Sequence, residues 1–164
     1  MQSKRDNLCT TPAGLVAGGT SGTVGIGNNF SYQIGGRAYS KAAAASVALV
    51  AMAGTSALAV PANSTQVIFL HVDAAGNVVY TQNANQALAS GINRGLATSA
   101  TAPGYTPGAI EWPQETPGYA IIGAVKIATN ASGAFTPGTT SLGAANQTVT
   151  YYNVTQDLGV CIPV

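Results

Sequence analysis

The side chains able to do chemistry are few and scattered along this chain. The carboxylates are Asp6, Asp73, Glu111, Glu115 and Asp157, and His71 is the single histidine. Glu111 and Glu115 flank Trp112 in a proline-rich stretch, a spacing compatible with paired acid and base carboxylates acting on a glycosidic bond. Exposed loop carboxylates are far more often simply solvated, and Asp73 and Asp157 lie beside turns, where Asp caps backbone amides. His71 falls inside an apolar run, without the local signature of a serine or cysteine nucleophile; a packed or half-exposed structural role is expected. Cys9 and Cys161 stand at opposite ends, with no CxxC pair and no neighbouring histidine. That leaves two buried thiols as the expectation and a bridge between the termini as the alternative.

Phosphate and metal chemistry fare no better. The glycine-rich GTSGTVGIG at 19–27 lacks the Lys-Ser/Thr of a P-loop, and no strand signal precedes its G-x-G. No EF-hand spacing or ligand cluster occurs. Asn-x-Ser/Thr triplets at Asn29, Asn63, Asn130, Asn146 and Asn153 are what a chain rich in Asn, Ser and Thr produces by chance. The residues therefore point to a non-enzymatic protein with no catalytic, cofactor-binding or metal site and no cofactor.

The 164 residues are the length of one domain. Charged residues make up 7% of them, where about 25% is usual. With a net charge of +1 and no basic run beyond Lys4 and Arg5, a nucleic-acid partner is not expected, since duplex binding must neutralise several phosphates. Much of the hydrophobic 46% is alanine, and 20 residues are glycine. An alanine methyl contributes about 0.8 kcal/mol on burial, against roughly 1.5–3 for Leu, Ile or Phe. A monomer so built is thinly stabilised, and part of the stabilising surface is expected between subunits. The uncharged, Ala-rich stretch beginning at 42 starts too far along for a secretory leader, and Gly54, Thr55, Ser56, Pro61 and Asn63 interrupt it before a membrane-spanning length.

These residues have to be positioned by strands. Residues 1–29, with glycine at 14, 18, 19, 22, 25 and 27, sustain no period of 3.6 or 2. They read as an extended arm ordered only against something else. From 30 to 164 the chain reads as a β-domain. FSYQI-GG-RAYSK (30–41) is a hairpin signal around Gly35 and Gly36. The stretch 42–60 is ambiguous between helix and a small-residue strand pair, and strand is favoured. QVIFLHVD (66–73) and VVYTQ (78–82) form a second hairpin, and 83–118 a long loop with a possible short helix at 83–90. YAIIGAVKIAT (119–129) and QTVTYYNV (147–154) are the remaining strong strands. Short strands at regular spacing without an amphipathic helix predict an all-β fold, a single β-sandwich or barrel-like domain. Alternation assigns Ile68, Leu70, Val72, Ile121, Gly123, Val125 and Ile127 to the core. It leaves Lys126 outward and Val67, Phe69 and His71 on an opposite, partly covered face. Leu70→Ala is then expected to cost much more than His71→Ala.

The segment YAIIGAVKIATNASGAFTPGTTSLGAANQTVTYYNV (119–154), the opening FSYQIGGRAYSKAAAASVAL and the hairpin FLHVDAAGNVVYTQ together resemble small β-rich virion proteins of tailed bacteriophages. Proteins of that kind are head decoration (cement) or head fibre proteins. The resemblance covers about residues 30–155, and the glycine-rich arm and the insertion around Glu111 and Trp112 depart from it. It implies a virion role without fixing the station on the particle; the reading favoured is a capsid decoration protein on the phage head surface, whose partners are the major capsid protein and copies of itself, as a trimer. The alternative is a head or tail fibre subunit contacting the host through Tyr105, Trp112 and Tyr119. A glycan-modifying enzyme using Glu111 and Glu115 is the remote alternative.

Overall fold

The computed structural model describes residues 7–55, 59–82, 96–97, 116–154 and 162–163. Its strands in chain order are β1 (Leu8–Cys9), β2 (Leu15–Ala17), β3 (Thr23–Ile26), β4 (Phe30–Ile34), β5 (Arg37–Lys41), β6 (Ala44–Ala48), β7 (Thr65–Asp73), β8 (Val78–Gln82), β9 (Leu96–Ala97), β10 (Tyr119–Thr129), β11 (Gln147–Asn153) and β12 (Ile162–Pro163). The fold is all-β, and no helix occurs among the described residues. The helix considered at 83–90 and nearly all of the 83–118 connection lie outside them.

A six-stranded main sheet runs in the order β12-β11-β10-β7-β8, with β9 also pairing β7. Two three-stranded sheets, β1-β4-β5 and β2-β3-β6, complete the fold. One apolar cluster joins all three sheets: Leu15, Val24, Ile26, Phe30 and Tyr32 from the small sheets meet Ile68, Leu70, Ile122, Val125 and Ile127 from the large one. This is the packing expected of a sandwich, in which facing strands bury alternate residues between layers.

Both sequence hairpins form. At the β4–β5 turn Gly35 and Gly36 take φ of 57° and 75°, the doubly positive pair that a type I′ turn needs. At the β7–β8 turn the Asp73 carboxylate accepts hydrogen bonds from Ala75 N (2.9 Å), Asn77 N (2.8 Å) and Asn77 Nδ2 (2.9 Å). Burial alone would raise the Asp73 pKa, but these bonds and the backbone bond from Gly76 more than offset it and hold the carboxyl below its ordinary value.

Residues 7–29 are extended, as an arm should be, but they are ordered against this same chain. Cys9, Ala13, Leu15, Val24 and Ile26 are all buried in the central cluster. The boundary at Phe30 is therefore not a domain boundary. Glycine obscured it: Gly25 admits Val16 across the β2–β3 pair, and Gly22 lies against the Gly138 backbone, so missing side chains permit close packing where no periodicity shows.

In the 42–60 stretch β6 is a strand, but it pairs with β3 rather than with a partner from the same stretch. The chain then runs parallel to β8, Tyr80 N donating to Val50 O and Met52 N to Tyr80 O, each at 2.9 Å.

One core assignment is corrected by a β-bulge. In β10, Ile121 pairs with His71 and Gly123 with Leu70, so Ile122 is an extra residue. Such an insertion reverses the alternation on one side of it. Gly123, Val125 and Ile127 face inward as expected, but Ile122 and Ala120 replace Ile121 in the core. Ile122→Ala should cost roughly 2–4 kcal/mol, and Ile121→Ala, at a half-buried site, under about 1. Denaturant unfolding of the two variants checks the order; equal losses would argue against the bulge.

Candidate functional site

The outward surface of the main sheet is where the polar chemistry of this chain gathers. In β7 every residue from Gln66 to Val72 is buried, so both faces of the strand are covered. Val67, Phe69 and Ala124 form a second cluster with Tyr152 packed against it. His71 shares that face and is 0% exposed, which corrects the expectation of a partly covered histidine and removes the reason for its substitution to be cheap.

Register explains what His71 meets. It sits opposite Val79 in β8, and Thr81 is opposite Phe69, so Thr81 is a diagonal neighbour on the same face. His71 Nε2 and Thr81 Oγ1 are 2.8 Å apart. The ring of Tyr119 stands edge-on, with centroids 6.4 Å apart and an interplanar angle of 84°. His71 Nδ1 is buried and has no hydrogen-bond partner. Burial pushes the imidazole pKa down to about 4, so it is neutral at pH 7. The histidine–hydroxyl pair resembles two members of a triad, but the orienting acid on the other ring nitrogen is missing. With so low a pKa the imidazole is a weak base. What the arrangement can do is hold one hydrogen bond and resist a proton.

Glu111, Glu115, Trp112 and Tyr105 lie outside the described residues, as do Asp6, Asp157 and Cys161. Tyr119 is half-buried at the start of β10. Cys9 is a buried free thiol whose Sγ lies 2.9 Å from Thr11 O. Burial pushes its pKa up to about 11, against a smaller lowering by the Thr11 backbone. The alternative of a bridge to Cys161 falls on a residue outside the described ones. Among the described residues no three His, Cys, Asp or Glu side chains are grouped as metal ligands.

Several asparagines of the Asn-x-Ser/Thr triplets have structural work. Asn29 Oδ1 accepts from Ala43 N (2.8 Å), Asn130 Oδ1 from Ser132 N (2.8 Å), and the buried Asn153 Oδ1 from Leu15 N (3.0 Å).

A second surface is notable for lacking charge. No charged residue occurs between Asp6 and Arg37, or between Lys41 and Asp73. The β2-β3-β6 sheet is built from those stretches. Its edge strand β6 is exposed at Ala45, Ser46 and Ala48. Among the described residues the exposed large hydrophobics, Val16 at 47% and Val50 at 53%, lie in β2 and just past β6. Edge strands are ordinarily defended by Lys, Pro or bulges. β5 follows that rule with Arg37 and Lys41, whereas β6 carries no charge.

No known protein-family model, curated protein or solved structure matches this chain.

Proposed function

We propose that this chain is a structural protein of a bacteriophage particle, a decoration protein that binds the assembled head as a homo-oligomer, a trimer. The observation that carries the reading is the uncharged β2-β3-β6 sheet, exposed along its two edge strands, with Val16 outward in β2 and Val50 outward just past β6. A solitary soluble domain gains nothing from such a surface, whereas a subunit packed against a shell buries it. The stabilising mechanism is mass action: a ligand that binds the closed shell and not its separated parts shifts the equilibrium toward the shell. The major capsid protein is the partner, and the low charge disfavours nucleic acid.

The test adds the purified chain to heads that lack it, then images them and heats them to disruption. Hundreds of copies per head and a raised disruption temperature are expected. A handful of copies at one vertex or on the tail would favour the fibre reading, and no attachment would overturn both. Val16→Glu and Val50→Glu, at already exposed positions, should leave the unfolding curve unchanged and lower occupancy about tenfold or more, as desolvating an unpaired carboxylate must.

A further inference from the structure

We propose that His71 is an acid-operated release built into the main sheet: taking up a proton, it breaks the packing of the outward face and exposes the Val67, Phe69 and Ala124 cluster. The argument begins with hydrogen-bond capacity. A neutral imidazole has one donor and one acceptor, and the protonated ring has two donors. Thr81 Oγ1 serves Nε2 in either state, because a hydroxyl both gives and takes. Nδ1 is buried without a partner, so a second N–H would point at nothing able to accept it.

Nor is a counter-charge at hand among the described residues. β8 brings Thr81 and Val79 to the ring, and β10 brings Tyr119 and Ile121. On its own strand the face neighbours are Phe69 and Asp73, and the Asp73 carboxylate is committed to the amides of Ala75 and Asn77. Lys126, opposite Val67, is of the wrong sign. A cation at this position is therefore desolvated and compensated by no described residue, and leaving the berth is the way to solvate it.

The direction of the pH effect follows. The folded-state pKa, lowered to about 4, lies below the ordinary 6.5, so the unfolded or opened state binds the proton more tightly. Stability is whole well above pH 6.5 and falls as pH drops through 4, the closed-to-open ratio changing by a limit of roughly 300-fold below that pH. Asp73, held below its ordinary 3.8, acts only at lower pH.

Because the chain has one histidine, its ring signals in a proton NMR spectrum need no assignment. Between pH 7 and 3.5 the closed-state signal should lose intensity without shifting, while a protonated, exposed signal grows. An apolar dye should begin to bind in the same window. His71→Gln keeps an amide toward Thr81 and cannot charge in this range; it should stay closed to about pH 4. A signal that shifts smoothly through pH 6.5 with no dye binding would overturn the proposal. So would a His71→Gln chain that opens in the wild-type window. If that variant does not fold at neutral pH, the wild-type titration decides alone.

Discussion

A chain beginning at Phe30 should fail to fold. The removed segment carries Cys9, Ala13, Leu15, Val24 and Ile26, every one of them in the central cluster. Burial of Leu15, Val24 and Ile26 contributes about 1.5–3 kcal/mol each, a sum comparable with the 5–15 kcal/mol total stability of a typical domain. The loss does not stop at side chains. β3 is the pairing partner of β6, so β6 would be left without a neighbour, and β1 would vanish from the flank of β4. Inside the main sheet, the Asn153 carboxamide would lose the Leu15 amide that it accepts from. Circular dichroism and the spread of amide NMR signals read the outcome. A truncated chain with a cooperative melt close to that of the full chain would show these strands to be dispensable.

Gly123→Ala should be nearly as damaging, on the order of 3 kcal/mol or more. Gly123 follows the bulge residue Ile122, and its inward face is closed by the Tyr152 carbonyl and the Leu15 Cδ1 methyl. A methyl there would overlap both. The methyl group of Leu15 can shift, but the Tyr152 carbonyl belongs to the β10–β11 ladder and cannot move without breaking it. Leu15→Ala combined with Gly123→Ala should therefore recover little. Urea unfolding of the single and double variants measures this, and full recovery in the double variant would place the conflict at Leu15 alone.

The legible parts of the fold were those with strong local chemistry. Gly35 and Gly36 announced a turn, Asp73, Gly76 and Asn77 another, and the β-branched runs between them could only be strands. What stayed hidden depended on contacts distant in sequence. Leu15, Val24 and Ile26 sit among glycines, so no alternation marks them as core, and their partners lie beyond residue 120 as well as in β6. The bulge at Ile122 leaves no mark either, since three apolar residues in a row fit either register.

The candidate site was legible only in part. His71 was placed on the correct face of β7, but its depth depends on how that face is covered, which alternation does not encode. Its pairing with Thr81 follows from the hairpin register, with Val72 opposite Val78, and the turn chemistry at 73–77 could have supplied it. The unpartnered Nδ1 is a property of packing alone.

The bond from Leu15 N to Asn153 Oδ1 spans 138 residues, and it bears on when this protein can fold during synthesis. A ribosome delivers β1 to β6 long before β10 and β11 exist. Until β10 and β11 clear the exit tunnel, the layer against which the first strands pack is incomplete. Folding is thus postponed until β10 and β11 have emerged, as it is for topologies dominated by distant pairings. In that interval the uncharged segments 7–36 and 42–70 are open to one another and to neighbouring nascent chains, which makes crowded polysomes the place where this sequence is most exposed to aggregation.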